Sequence, residues 1–255
     1  MRRIKLFINA LFFVLMTTLA GQSVSAAQND VAAFPVEWYE VLPMFITFEK
    51  PINANDIKNI GDLLSAKWYS GIHVYKGKDA STKKVITSCL EYFSIRGKGY
   101  SVTPERSAGP FMGRAMRCSA IEALANARPA RVSHMVDFAL DESLPTKLPK
   151  QMAFMPSSAE YSRIMKNPSI KSLNDVYKIT KVERKDKTNA VYKHKGGEQD
   201  ITLVGKGDFN NDGILDILLV VQNDVAGGSF SSTHLYALTK TEPGDGYVLL
   251  KEYEY

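Results

Sequence analysis

The last third of the chain is organised by a period of two. From residue 175 onward, short stretches of alternating apolar and polar residues are separated by turn-forming clusters, such as "KDKT" at 185–188 and "NDVAGG" at 223–228. Because the side chains of a strand point alternately to its two faces, this pattern predicts six short strands joined in sequence as an antiparallel meander. The stretch "ILDILLVV" at 214–221 is apolar on both faces, which predicts a central strand covered on both sides.

The first half of the chain mixes helical and strand patterns. Residues 53–69 carry apolar positions at helical spacing, with Asn53 or Asn55 as the cap, and a second helical pattern at 110–128 stops before Pro129. Strands are predicted at 44–49, 70–77, 83–97 and 131–140.

A proline-rich stretch separates the two halves. Four prolines fall within residues 141–175, where the only clear period is a short helical pattern around 158–166. We therefore predict an α+β protein with a mixed α/β region at 27–143 that holds two helices. An irregular connection at 144–174 and a C-terminal antiparallel β region at 175–255 follow.

The first 26 residues have the pattern of a secretory signal peptide. Arg2, Arg3 and Lys5 precede an apolar run, and small residues around Ser25 and Ala26 mark a cleavage site. The uninterrupted apolar core is shorter than the ~20 residues that a membrane-spanning helix needs, and no later stretch reaches that length. The sequence therefore predicts a periplasmic or secreted protein with no membrane span after signal cleavage.

Removal of this leader changes the charge balance. The whole chain carries 32 basic and 27 acidic residues, a net charge of +5. The leader holds three basic residues and no acidic ones, which leaves 29 − 27 = +2 for the remaining chain. Such a weak positive charge gives no reason to expect a nucleic-acid partner.

Two cysteines, Cys89 and Cys118, remain in a chain predicted to enter an oxidising compartment. An even count in that setting favours a disulfide bond, which would tie the second predicted helix to a predicted strand. Two buried free thiols and a nucleophilic cysteine are the alternatives.

Residues 208–216 carry the most specific chemistry of the sequence. Asp208, Asn210, Asp212 and Asp216 fall at positions 1, 3, 5 and 9 of a loop, with Gly213 at position 6. Alternating side chains on a tightly curled backbone can direct several oxygen atoms at one centre, and calcium takes about six to eight oxygen ligands. With no His or Cys nearby, zinc and copper are disfavoured. The alternative is an Asp/Asn/Gly turn that binds no metal.

The stretch "GDFNNDGILDILLV" at 207–220 resembles the calcium loops of FG-GAP and VCBS repeats, which occur in integrin α-subunit propellers and many secreted bacterial proteins. The resemblance implies a β-hairpin with calcium at its turn, held by the four side chains above and the backbone carbonyl of Ile214. An EF-hand is excluded because position 12, which requires Glu, is Leu219. The motif occurs once, so a propeller of repeated blades is not expected. We expect the ion to be structural.

Two common catalytic motifs are missing from the sequence. The four His are scattered, and neither H-E-x-x-H nor G-x-S-x-G occurs. We therefore predict a binding or interaction protein for a protein partner or a cell-envelope component, in the manner of an inhibitor or an immunity protein. The alternative is a cell-envelope hydrolase, for which His234 and a nearby Ser in "AGGSFSSTH" at 226–234 are the first candidates.

Overall fold

The computed structural model describes residues 34–39, 58–77, 79–103, 108–135, 138–155, 157–228, 230–244 and 246–254. The signal peptide predicted at 1–26, the strand predicted at 44–49 and the start of the helix predicted at 53–69 lie outside these ranges. The described residues belong to one compact unit, Ala32–Tyr255. None of their helices is both long enough and apolar enough to cross a membrane.

The N-terminal half holds a small sheet and two helices. Its elements are β1 Glu37–Trp38, a 3-10 helix Ile60–Leu64, β2 Ile72–Lys76, β3 Asp79–Ile86, α1 Cys89–Ile95, β4 Tyr100–Ser101 and α2 Ala108–Asn126. Strands β2, β3 and β4 form an antiparallel sheet in the order β3–β2–β4. Helix α2 ends before Pro129, as the sequence predicts.

One predicted strand of this half is in fact a strand followed by a helix. The pattern at 83–97 predicts one strand, but β3 ends at Ile86 and α1 begins at Cys89. The reason is a local cap: the Ser88 side chain accepts a hydrogen bond from the backbone N–H of Glu91 at 3.2 Å. This bond satisfies an N–H group that a helix start leaves free, and it overrides the strand pattern.

The strand predicted at 131–140 is wrong for its described residues, 131–135 and 138–140. They form only the isolated bridge between Val132 and Ile214, and the residues just before them pair elsewhere, Ala130 with Phe34 and Arg128 with Asp208. A strand needs consecutive pairs along a partner strand, and the described residues of this segment form a single bridge.

The helix predicted at 53–69 differs in its described part. Only the 3-10 helix Ile60–Leu64 forms, and its cap is Asn59, whose side chain accepts a hydrogen bond from the N–H of Gly61 at 2.9 Å. Asn53 and Asn55 lie outside the described residues.

The connection between the halves is more ordered than predicted. It contains α3 Leu144–Lys147, a 3-10 helix Lys150–Met152, α4 Ser158–Lys166 and α5 Leu173–Val176. Helix α4 confirms the helical pattern around 158–166, and the Ser157 side chain caps it by accepting from the N–H of Glu160 at 3.2 Å.

The C-terminal half is one antiparallel meander. Its strands are β5 Ile179–Arg184, β6 Asn189–His194, β7 Gly197–Gly207, β8 Asp216–Val225, β9 Ser231–Thr239 and β10 Val248–Glu252. They lie in the order β10–β9–β8–β7–β6–β5, and β1 also pairs with the end of β7. The six-strand meander is confirmed, and the α+β class with it.

Strand β8 is buried on both faces, as its apolar pattern predicts. On one face Leu218 and Val220 pack in a cluster with α2 residues such as Ile121. On the other face Ile217 and Leu219 pack against the connection between the halves. The apolar residues that the connection contributes are Leu144, Leu148, Met152 and Leu173. The large sheet therefore lies between two helical layers.

Cys89 and Cys118 lie at disulfide distance, with their sulfur atoms 1.99 Å apart. Both residues are buried. The sequence predicted that this bond joins a helix to a strand. Cys89 is in fact the first residue of α1, so the bond joins two helices.

We expect the double variant Cys89→Ala/Cys118→Ala to lose about 3–4 kcal/mol of unfolding free energy, because the bond closes a loop between residues 29 apart and restricts the unfolded chain. Urea denaturation under oxidising conditions measures this loss. Wild type treated with reductant is the control and should unfold at the midpoint of the variant. Identical midpoints for oxidised wild type and the variant would show that the bond is absent from the protein in solution.

Candidate functional site

Residues 208–215 form the turn between the two central strands of the sheet. Strands β7 and β8 pair antiparallel down to the pair Gly207 and Asp216, so the turn begins where the ladder ends. The chain can curl tightly here because Asn211 and Gly213 both adopt left-handed backbone angles, with φ of 65° and 84°. Glycine and asparagine are the residues that tolerate this region best.

Asp208 organises the turn from its buried base. Its Oδ1 atom accepts backbone N–H bonds from Asn210, Asn211 and Asp212 at 3.3, 2.6 and 3.2 Å. Its Oδ2 atom accepts one from Gly213 at 2.8 Å. Four amides therefore point at one carboxylate, which holds the loop in a curled conformation.

Asp216 is the second buried carboxylate of the site, with 0% of its surface exposed. Its Oδ2 atom accepts a bond from the N–H of Phe209 at 2.9 Å, whereas Oδ1 has no hydrogen-bond partner among the described residues. Burial raises the pKa of Asp216 to about 6, and repulsion from Asp212 and Asp208 adds to the rise. The nearby Thr239 hydroxyl and the Phe209 amide lower the pKa, although the hydroxyl does not meet hydrogen-bond geometry.

Asn210 and Asp212 lie exposed at the rim of the turn. The Asn210 side-chain amide donates to Asp212 Oδ2 at 2.8 Å, and Asp212 Oδ1 accepts from the N–H of Ile214 at 2.7 Å. Of the four predicted side-chain ligands, two are therefore buried, Asp208 and Asp216, and two are exposed, Asn210 and Asp212. In the described part of the chain, no three His, Cys, Asp or Glu side chains are grouped so as to hold a metal ion.

A segment that sequence reasoning missed supports the loop from outside. Backbone bonds join residues 128–132, which follow α2, to the turn. They are Arg128 N–H to Asp208 O, Asp208 N–H to Arg128 O, Arg131 N–H and Val132 N–H to Gly213 O, and Leu215 N–H to Val132 O, all between 2.8 and 3.1 Å. None of these five bonds uses the carbonyl of Ile214, the fifth predicted ligand. Ordering of the turn is therefore coupled to the segment after α2.

A second polar feature joins side chains of four strands, β7, β8, β9 and β10. Gln199 donates to the Asn223 side-chain oxygen at 2.7 Å, and Asn223 donates to Ser232 Oγ at 3.1 Å. Ser232 Oγ lies 3.1 Å from His234 Nε2, and His234 Nδ1 lies 2.7 Å from Glu252 Oε1. We call this set the polar chain. It confirms nothing about catalysis by itself, but it brings His234 next to a Ser and a carboxylate.

The donors and acceptors of the polar chain fit one direction. Because Asn223 donates to Ser232, the Ser232 hydroxyl is free to donate to His234 Nε2, and His234 Nδ1–H then donates to Glu252. A serine, a base and an orienting carboxylate in this order are the elements of nucleophilic catalysis. His234 and Glu252 are accessible, with side chains 32% and 49% exposed. No sequence motif points to Glu252, which belongs to a different strand, β10.

Comparisons with known proteins add no family to this geometry: no family model, no curated protein and no solved structure matches the chain. The resemblance of residues 207–220 to FG-GAP and VCBS calcium loops therefore stays a prediction from the sequence.

We expect Gly213→Ala to lower the unfolding free energy by about 1–2 kcal/mol, because its φ of 84° is strained for any residue with a Cβ atom. Urea denaturation in calcium-free buffer measures the change. Gly113→Ala is the matched control: Gly113 lies within α2 with nothing within 4 Å of an added Cβ, so stability should rise by about 0.5–1 kcal/mol. Equal shifts in the two variants would contradict the assigned turn.

Proposed function

We propose that this chain is an exported calcium-binding protein that acts by binding a protein partner or a cell-envelope component. The ion orders the turn at 208–216 between β7 and β8. The observation that carries the proposal is Asp216, a fully buried carboxylate whose Oδ1 has no hydrogen-bond partner among the described residues. A charged carboxylate in that position is costly unless a cation or a donor reaches it.

The remaining predicted ligands lie in the same turn, and a complete site would need the exposed Asn210 and Asp212 side chains to turn inward. Asp208 supplies a second buried carboxylate, and the exposed pair Asn210 and Asp212 bonds across the rim. An exposed hydrogen bond contributes only about 0.5–1.5 kcal/mol, so turning these side chains inward costs little. Oxygen atoms alone make up the set, which suits a hard cation such as calcium.

The assignment to binding follows from three further points. The predicted signal peptide sends the chain outside the cytoplasm, where calcium is abundant enough for weak sites with dissociation constants on the order of 10⁻⁴–10⁻³ M. The turn is bonded to residues 128–132, so an ion there stabilises surface on both sides of it. A structural ion of this kind maintains a recognition surface, as an inhibitor or an immunity protein requires.

We expect calcium to reverse the order of stability between wild type and Asp216→Asn. In chelator at pH 8 the variant should be at least as stable, because it removes a buried charge. In calcium at a hundredfold excess over the dissociation constant, wild type should gain about 2.7 kcal/mol and the variant nothing. Urea denaturation in the two buffers measures both differences.

Asp224→Asn is the matched control for this experiment, because Asp224 lies near the opposite end of β8 and bonds to Gln222. It should respond to calcium as wild type does. Equal stability of wild type in chelator and in calcium, with no heat of calcium binding by calorimetry, would show that the turn binds no ion.

A second candidate function, favoured by the polar chain, is a hydrolase acting on an ester or acyl bond of the envelope. In that reaction Ser232 Oγ would attack the acyl carbon while its proton passes to His234 Nε2. The imidazolium, stabilised by Glu252, would then protonate the leaving group, and water would release the acyl group from Ser232. The hydrogen-bond order from Ser232 to Glu252 supports this candidate.

We expect a fluorophosphonate probe to label Ser232 of wild type if the hydrolase function exists, because the probe reports an activated serine without knowledge of the substrate. Mass spectrometry locates the label. Labelling should vanish in Ser232→Ala and slow by about 10²–10⁴-fold in His234→Ala. Ser231→Ala, a neighbour on the opposite face of β9, should keep it. An unlabelled wild type would exclude the hydrolase and leave the calcium proposal standing.

A further inference from the structure

Arg114 is a buried cation on the inner part of α2, with only 7% of its surface exposed. Its NH1 atom donates to the carbonyl of Ser70 at 2.6 Å and its NH2 atom to the Ser70 hydroxyl at 3.1 Å. The guanidinium carbon lies 5.1 Å from the ring centre of Trp68 and 5.2 Å from that of Tyr69. These contacts fix the guanidinium plane, while a guanidinium has more N–H donors than two bonds use.

Arg114 has no carboxylate partner in the described ranges of the chain. Arg96 offers a comparison, since it also lies over a ring, that of Phe93. Unlike Arg114, it forms an ion pair with a carboxylate, that of Glu122, at 3.0 Å. A buried cation without an anion pays its desolvation cost without the attraction of an opposite charge. An anion from solution would supply that attraction.

Arg114 lines a cavity of about 500 Å³ beside β2. The polar residues that line it besides Arg114 are Tyr69, Ser70, His73, Tyr75 and Thr103. No Asp or Glu is among its described lining residues. The volume is that of a small-molecule site, and the lining combines one fixed cation with hydroxyl donors.

We propose that this cavity binds a small organic oxyanion, a carboxylate or a phosphate, through Arg114. The planar guanidinium matches the paired oxygen atoms of both groups, and hydroxyl groups can donate to the others. The rings of Tyr69 and Tyr75 offer apolar surface to the rest of the ligand. The site is separate from the calcium turn and adds a ligand class that the proposed function does not include.

The test is calorimetric titration of calcium-free protein in Tris buffer at constant ionic strength, with sodium phosphate in one arm and sodium acetate in the other. We expect saturable binding in at least one arm, which also distinguishes a phosphate ligand from a carboxylate. Arg114→Lys should raise the dissociation constant about tenfold or more, because it keeps the charge and loses the fork. Since the protein is calcium-free, failure of the calcium proposal would not affect the result.

Two exposed substitutions keep the test independent of folding at the buried position. His73→Glu places a carboxylate in the cavity and should abolish binding, whereas Ser81→Glu adds the same charge elsewhere on the small sheet and should not. Arg96→Lys is the control for a stacked arginine and should bind as wild type does. No saturable binding of either anion, or unchanged binding in His73→Glu or Arg114→Lys, would overturn the proposal.

Discussion

Burial of β8 on both faces is the constraint on which the rest of the structure depends. A strand with apolar side chains on both sides cannot face water on either, so the chain must provide two coverings for one sheet. Helix α2 covers one face, and the helices between residues 144 and 176 cover the other. The bond between Cys89 and Cys118 ties the first covering to α1. The turn at 208–215 therefore leaves the sheet at its centre, next to residues that are fully buried.

Two buried charges explain where ligands are expected. Asp216 and Arg114 are both almost completely removed from water, and neither has an ion-pair partner among the described residues. The packing of β8 and α2 stabilises the fold and so offsets the free-energy cost of burying these two groups. A ligand of opposite charge binds favourably at such positions, because its attraction to a charge that is already fixed in place offsets part of its desolvation cost. We propose a cation for the first position and an anion for the second.

The polar chain shows how a sheet surface can hold either a structural or a chemical feature. Its bonds run from Gln199, which is fully buried, to Glu252, which is half exposed, and they join β7, β8, β9 and β10 in one direction. In that order of donors, the hydroxyl of Ser232 donates its hydrogen bond to the imidazole of His234. Cross-strand packing and proton transfer are therefore compatible uses of the same geometry.

Local patterns in the sequence determined the elements whose causes lie within a few residues. The period of two gave the meander, the helical pattern around 158–166 gave α4, and Gly213 marked the left-handed turn. Only the tertiary structure decided which distant residues meet: Glu252 with His234, Ser70 with Arg114, and residues 128–132 with the turn. The pattern at 131–140 suited a strand, yet its described residues form a single isolated bridge, between Val132 and Ile214. Periodicity records which face a residue takes on its own element, whereas the neighbour across that face depends on how the elements pack.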